Sequence, residues 1–515
     1  MTYEFKTTPY PHQLRAFEAS RDAPAFALLM EQRTGKTKVL LDTAAYLFER
    51  GQVDALVVVA PNGVHVNWVA DEVPAHLPDR VARRCVVWRA GRAGTKSFAR
   101  ELEELVVGPH LAVLSLNVDA LLTERCQIYL RLFLRARRCL AVADESDLFL
   151  MTPGAKRSKL TTLLGKRCAY RRIATGTAVE RGPLDLYGQF NFLDPAVLGF
   201  SSHYAFKHRY AEWEQKFAGA DGHRYETLRG YRNLDELSAR VAPVTFFFRR
   251  DEWHDPPRKV YGKRYFELAP EQRRVYDELR TTFVAELTGG ETFSAPQVLV
   301  RLLRLQQVAS GFTPDVERWT DRPCQACGGS GAVAGEVCGE CCGYGQQFER
   351  AAGKELVLAE KNPRLAALLA ELAAAPGRAV IWARFQRDVD LVRAALPPGE
   401  VVEYHGRVSE ADREAARAAF KRPDGPRYLL GNPRAGGRGL DFSAAETVVY
   451  YSHDFGLRVR QQSEDRVINL SDRRVKGFVD LVATDTVDEK IVAALLAKRE
   501  LATLVNSADP AAVLR

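Results

Sequence analysis

Two short stretches in the first third of the chain carry the residue types needed to handle a phosphorylated ligand. Gly35-Lys36-Thr37 follows an apolar run, Phe26–Leu29, and opens a segment with helical character. A glycine there lets the backbone approach a phosphate, and the first amides of the following helix point at the anion. Lys36 is placed to reach terminal phosphates, and the Thr37 hydroxyl to ligate Mg²⁺. The full phosphate-loop pattern has a further glycine at position 30, where this chain has Met30. Val142-Ala143-Asp144-Glu145 closes a second apolar run. A carboxylate at a strand end, here Asp144, holds Mg²⁺ directly or through water. A second one beside it, Glu145, can orient and deprotonate an attacking water. Each stretch alone has a plain alternative, a helix start or a solvated loop. In this order and at strand ends they indicate nucleoside triphosphate binding.

A different chemistry stands later in the chain. Of nine cysteines, Cys324, Cys327, Cys338, Cys341 and Cys342 lie close together. Cys324-Gln325-Ala326-Cys327-Gly328-Gly329-Ser330-Gly331 and Cys338-Gly339-Glu340-Cys341-Cys342-Gly343-Tyr344-Gly345 both fit C-x-x-C-x-G-x-G. Two such knuckles supply four thiolates for one tetrahedral Zn²⁺, ligated by Cys324, Cys327, Cys338 and Cys341. The glycines provide turns that aim backbone amides at the sulfurs. All four positions are filled, so the metal is expected to be structural, and Cys342 is a spare thiol. The alternative is a set of reduced free thiols. Met1–Tyr10 shows no secretory signal, which points to the reducing cytoplasm.

The elements that must position these groups are legible as a pattern. Apolar strands are expected at Phe26–Leu29, Ala55–Ala60, Leu111–Leu116, Leu140–Asp144 and Arg171–Thr175, with helices between them such as Lys36–Arg50 and Thr123–Arg137. Strands apolar throughout are buried on both faces, as in a parallel sheet. The pattern fades after residue 200 and returns with strands at Ala379–Ala383, Val401–Tyr404, Tyr428–Gly431, Thr447–Tyr451 and Phe478–Ala483. Helices are expected at Pro270–Leu287, Ala295–Val308, Asn362–Ala375, Ser409–Lys421 and Thr486–Leu504. The fold class is α/β, with two doubly wound parallel-sheet lobes and a small zinc-binding insert. The expected division is a first lobe at 1–245, a connector at 246–262 and a second lobe at 263–515, with the insert at 321–346 inside it.

Composition is compatible with this. The chain has 515 residues, 46% apolar and 27% charged, and a net charge of +8. That is ordinary for a globular protein of about three domains. No apolar run approaches the ~20 residues that span a bilayer, so no membrane partner is expected. The mild positive charge permits a polyanionic partner without demanding one.

The order of segments resembles the superfamily-two helicases and translocases, and most of all the SNF-type, chromatin-remodeller-like DNA-dependent ATPases in their compact bacterial and phage relatives. Tyr10-Pro11-His12-Gln13 resembles the glutamine motif, and Glu31-Gln32-Arg33-Thr34-Gly35-Lys36-Thr37 resembles motif I, which in this family also lacks the first glycine. Val58-Val59-Ala60-Pro61-Asn62 with Asn67-Trp68 resembles motif Ia; Leu114-Ser115-Leu116-Asn117 stands at motif Ib and Asp144-Glu145-Ser146-Asp147 at motif II. Ala174-Thr175-Gly176-Thr177-Ala178, with Phe192-Leu193-Asp194-Pro195 downstream, resembles motif III. Val380 to Phe385 resembles motif IV, Tyr404-His405-Gly406 the segment after it, Gly436 to Phe442 motif V, and Gln462-Ser463-Glu464-Asp465-Arg466 motif VI. The cysteine repeat is similar to that of DnaJ-type chaperones.

The resemblance implies two RecA-like lobes with ATP and Mg²⁺ between them. Gln13 would read adenine, and Gly439 and Asp441 would line the nucleotide site. Arg466, with Gln462, would sense the γ-phosphate from the second lobe. It further implies movement on double-stranded DNA through phosphate contacts, in a bacterial or phage-infected cell. Three positions depart from the family pattern: Asp147 replaces a common histidine, Ala178 a proline, and Asn469 the second motif VI arginine, which Arg473 and Arg474 lie near enough to replace. Since such an arginine stabilises transition-state charge, an ATP-gated clamp with little turnover is the alternative. An RNA helicase is a further one. Trp68, Trp382 and Tyr451 are either base-stacking or core residues, His405 either touches nucleic acid or is structural, and Lys38, Arg434 and Arg438 are candidate phosphate contacts. Arg249-Arg250 resembles the paired arginines of the family's connector. Whether the insert meets DNA, a protein partner or only the second lobe stays open.

Overall fold

The computed structural model describes residues 3–176, 179, 182–218, 223–249, 252, 258–288, 295–312, 316–328, 330, 332–333, 336–337, 346–351, 361–375, 377–434, 440–469 and 472–495. Six strands open the chain: β1 (Ala25–Met30), β2 (Ala55–Ala60), β3 (Arg83–Val87), β4 (Leu111–Asn117), β5 (Cys139–Asp144) and β6 (Tyr170–Thr175). A hairpin, β7 (Ala211–Ala218) and β8 (His223–Tyr231), interrupts the series before β9 (Thr245–Phe248). The first sheet has the order β3-β4-β2-β5-β6-β1-β9 and pairs in parallel throughout.

The second sheet begins with β10 (Lys259–Phe266). Two small antiparallel pairs follow: β11 (Val316–Pro323) pairs with β14 (Gln346–Ala351), and between them in the chain β12 (Ala332–Val333) pairs with β13 (Glu336–Val337). The sheet then resumes with β15 (Ala379–Trp382), β16 (Val401–Tyr404), β17 (Tyr428–Gly431), β18 (Thr447–Tyr450) and β19 (Lys476–Ala483). Its order is β10-β19-β18-β15-β17-β16, again all parallel.

Burial on both faces explains why these strands read as unbroken apolar runs. In β2, Ala55, Val57 and Val59 face one core cluster while Leu56, Val58 and Ala60 face another. β15 repeats this, with Val380 and Trp382 on one side and Ala379 and Ile381 on the other. A further cluster joins the helices Pro270–Thr288 and Ala295–Ala309 to the helical run at 487–495, through Tyr276, Val308 and Ile491. Beside it a fully buried ion pair joins Arg364 to Asp488, and Arg364 also donates to the Tyr451 carbonyl at 2.6 Å.

Segment 201–260, where the strand pattern fades and an aromatic, charged composition suggests a connector, carries elements of its own. It holds the helices His203–Tyr210 and Leu234–Val241, the β7–β8 hairpin and β9. Residues 246–262, read as a connector, include most of β9 in the first sheet and the start of β10 in the second. The expected helix at Thr486–Leu504 is described only as far as residue 495. Among the described residues no helix is long and apolar enough to cross a membrane.

Candidate nucleotide site between the sheets

The first sheet delivers its chemistry from the carboxyl ends of β1, β5 and β6, which are neighbours in the order β5-β6-β1. After Met30 the chain makes a tight loop and enters the helix Lys36–Glu49, whose N-cap is Gly35. Gly35 has φ +85°, and a Cβ built on it would lie 2.0 Å from Gln13 Nε2. The backbone hand therefore requires glycine, and a Cβ would also force the Gln13 amide to shift. Gln13 donates to the Thr34 carbonyl at 3.1 Å and accepts from the Tyr10 amide at 2.9 Å. His12 contacts the same carbonyl at 2.7 Å and stacks on Phe248 of β9, ring centroids 4.0 Å apart. The glutamine motif thus buttresses the loop from the first helix, Pro11–Ser20.

Lys36 is buried and donates to the carbonyls of Met30 at 2.8 Å and Glu31 at 3.1 Å. The loop is folded onto its own lysine, so Lys36 would have to leave these carbonyls to meet a phosphate. Thr37 is half-buried in the first turn of the helix. Lys38 is no phosphate contact: it is buried, and its ammonium pairs with Asp42 at 2.7 Å.

Asp144 ends β5, buried, with both carboxylate oxygens engaged. Trp68 Nε1 donates to one at 2.8 Å and the Glu145 amide to the other at 3.0 Å. Trp68 is therefore a core residue with a role at the site, which its type alone did not reveal. Glu145 is buried beside it with φ +52°. Asp147, where the resemblance suggested a histidine, is buried, accepts from Thr175 Oγ1 at 2.7 Å and pairs with Arg458 from the second lobe. A histidine could not accept from a hydroxyl and pair with a guanidinium at once as this carboxylate does. Thr177 and Ala178 lie outside the described residues.

The second lobe meets the phosphate loop through Asp441 and the segment around Arg466. Arg33, at the tip of the loop with φ +67°, donates to the carbonyls of Leu440, of Asp465 at 3.2 Å and of Arg466 at 3.1 Å. Its guanidinium also lies 3.8 Å from the Asp441 carboxylate, which Lys421 approaches at 3.2 Å. Burial would push the Asp441 carboxyl up, but Arg33, Lys421 and the Ser443 amide overcome it and hold the pKa at about 2. Arg417–Asp71 at 2.6 Å and Arg89–Glu414 at 3.5 Å bridge the lobes further out.

Arg466 is buried, with its guanidinium 5.3 Å from the centre of the Trp382 ring, and burial brings its pKa down to about 10. Gln462 is half-buried in the helix Leu457–Asp465, and Asn469 is half-buried just beyond. Gly439, with Arg438, lies outside the described residues. Trp382 and Tyr451 are core residues, His405 pairs with Glu403 at 2.9 Å, and Arg434 is spent on Asp454.

Of the zinc ligands, Cys324 is buried and Cys327 half-buried, while Cys338 and Cys341 lie outside the described residues. Among the described residues no cluster of potential ligands forms a metal site. Arg33, Trp68, Asp147, Thr175 and Arg458 complete the site without having been singled out for these roles. For Arg33 a signal exists: a bulky residue in a loop whose path needs a left-handed turn.

Two outcomes follow for the loop. Gly35→Ala should lose nucleotide binding and cost at least about 1–2 kcal/mol in denaturant stability, since the left-handed backbone penalty adds to the Gln13 clash. For Asp441 the folded pKa lies below the unfolded value of about 3.9, so its stabilisation is complete above that pH and is lost as pH falls towards 2. The stability gap between wild type and Asp441→Asn should close over that window in urea titrations.

Residues 360–470 match the helicase conserved C-terminal domain. An uncharacterized ATP-dependent helicase of Mycoplasma genitalium is 21% identical over 343 residues, 65% of this chain and 28% of that protein. TATA-binding protein-associated factor 172 of Homo sapiens is 23% identical over 367 residues, 66% of this chain and 19% of that protein. The chain thus spans less than a third of the length of either relative. The Sulfolobus solfataricus SWI2/SNF2 ATPase core in complex with dsDNA aligns over 97% of this chain and 93% of its own, with 20% identity and a TM-score of 0.39. The chain is therefore similar to helicases, in the C-terminal domain over residues 360–470 and to an ATP-dependent helicase over about two thirds of its own length.

Proposed function

We propose that the chain hydrolyses ATP between its two lobes and uses their relative movement to translocate on DNA, double-stranded DNA being favoured. The observation that carries this is the convergence of Gly35, Lys36, Thr37, Asp144 and Glu145 at neighbouring strand ends, facing the Asp441 carboxylate and the Arg466 carbonyl across the lobe boundary. Helix-start amides and Lys36 take the phosphates once Lys36 leaves its loop carbonyls. Thr37 and Asp144 are an oxygen donor pair that fits Mg²⁺, which would supply charge neutralisation to the phosphates. Trp68 and the Glu145 amide orient Asp144 for this. Glu145 orients water and accepts its proton, Gln13 stands on the adenine side, and Arg466 with Gln462 approaches the γ-phosphate. Closing and opening would move DNA along the motif Ia, Ib, IV and V segments by phosphate contacts, so binding is expected to be salt-sensitive and indifferent to sequence.

Asn469 favours a second reading, an ATP-gated clamp with little turnover. One hydrolysis experiment separates the readings: ATP alone, then with single-stranded DNA, double-stranded DNA or RNA. Translocation on DNA predicts stimulation by double-stranded DNA and at least about a hundredfold loss in Lys36→Ala or Glu145→Gln. Wild-type rates in those variants would refute the assignment. Stimulation by RNA alone would make RNA the track. A flat rate that Asn469→Arg raises would favour the clamp.

We also propose one structural Zn²⁺ in the cysteine insert. β11 and β14 pair antiparallel, with Pro323 opposite Gln346, so the ends of the segment carrying both knuckles are brought together. Within the first knuckle Gly328 has φ +60° and Ser330 donates to the Cys327 carbonyl, by its amide at 3.1 Å and its hydroxyl at 2.7 Å. This turn after the second cysteine fits a thiolate knuckle. Purified protein should contain about one zinc per chain. Metal analysis finding none, with every cysteine open to a thiol reagent, would rule the site out.

A further inference from the structure

Arg33 stands in the middle of the phosphate loop, three residues before Lys36, yet its side chain points away from its own lobe. It adopts a left-handed conformation, φ +67°, that suits glycine. Its guanidinium collects three carbonyls, Leu440, Asp465 and Arg466, and lies beside the Asp441 carboxylate. These four acceptors come from two separate stretches of the second lobe: one ends at Asp441, the other contains Arg466. The same two stretches are tied to each other, since the Phe442 amide donates to the Arg466 carbonyl at 2.7 Å. A planar fork of five donors can satisfy several carbonyls and a carboxylate at once, and an ammonium cannot reproduce that geometry.

We propose that Arg33 is the positioning residue that couples the phosphate loop to the second lobe. It acts through Arg466 and Asp441, fixing both relative to the phosphate-binding amides of Gly35 and Lys36. Since the loop must rearrange when Lys36 exchanges its carbonyls for phosphate, Arg33 transmits that rearrangement directly to the segment bearing Arg466. The charge lies on the loop itself, so lobe closure and phosphate occupancy are read by one element. This rests on the ATP-hydrolysing reading for its catalytic consequence but not for its geometric one.

The test uses the full chain and three proteins: wild type, Arg33→Gly and Arg33→Lys. Arg33→Gly retains the left-handed turn without strain and removes the fork. Arg33→Lys keeps the charge and removes the geometry. Steady-state ATP hydrolysis, binding of fluorescent ADP and solution X-ray scattering are measured on each. The expected result is a kcat at least tenfold lower in both variants, an ADP Kd within threefold of wild type, and a larger radius of gyration in both. A merely structural role for Arg33 in the loop would raise the ADP Kd as much as it lowers kcat, and that would overturn the proposal. So would wild-type kcat and scattering in Arg33→Gly, or full activity in Arg33→Lys. If wild type itself hydrolyses no ATP while the variants still expand, the enzymatic reading fails and the coupling by Arg33 stands.

Discussion

Parallel pairing is the constraint on which the rest of the molecule depends. In a parallel sheet every strand ends at the same edge, and the chain must return across a face before the next begins. Met30, Asp144 and Thr175 therefore arrive at one edge of the first sheet because β1, β5 and β6 pair in register: Leu29 opposite Thr175, and Asp144 opposite Ala174. Antiparallel pairing would send Asp144 to the far end. The cost is burial on both faces, which forces apolar strands and leaves chemistry only to the residues just past their ends. This is why Asp144 can be the terminal residue of a strand otherwise made of Cys139, Leu140, Ala141, Val142 and Ala143.

Backbone strain is concentrated where that chemistry sits. Among the described residues four non-glycines have positive φ, and two of them, Arg33 and Glu145, are in the site. Each such conformation costs on the order of 1–3 kcal/mol and persists only where surrounding contacts enforce it. For Arg33 those contacts lie in the other lobe, so the strain of the loop and the closure of the cleft depend on each other. For Glu145 the neighbour is Asp144, whose carboxylate accepts the Glu145 amide and so fixes the turn that separates the two acidic side chains. The two strained residues thus serve opposite ends of one site: one sets the lobe contact, the other the geometry of the carboxylates.

The ten expected strands were legible because their apolar runs reflect double burial, and each lies within a residue or two of its place. β3, β9 and β10 were not. β3 is Arg-Arg-Cys-Val-Val at the sheet edge, and β10 is largely exposed with Lys259, Lys263 and Arg264 along it. An edge strand buries little, so its sequence need not be apolar, and β10 exists because its ladder pairs with β19 over eight residues. In the candidate site, Lys36, Thr37, Asp144 and Glu145 stand out in the sequence because phosphate and metal chemistry restrict residue type and spacing. The contacts of Arg33, Trp68 and Arg458 join positions 76 to 433 residues apart, and no local pattern records such pairings. Lys38 shows the reverse error: a basic residue beside the phosphate loop whose charge is consumed by Asp42 inside its own helix.

Among the described residues the lobe boundary is bridged by ion pairs, and no buried apolar cluster draws residues from both lobes, which has a mechanical meaning. An apolar interface of useful size would hold the lobes together with an energy that scales with area and has no preferred release point. Ion pairs such as Arg458–Asp147 and Arg417–Asp71 instead depend steeply on distance and on how well each partner is solvated when apart. Truncating one member of a buried pair is costly, because the remaining charge stays desolvated; separating both into water costs much less. Opening the cleft wets both partners together. The boundary can therefore be specific when closed and still reversible, which a site that must admit and release a charged ligand requires. Asp147 also accepts from Thr175 at the end of β6, so the strand ends that frame the phosphate loop take part in the same charge-made contact.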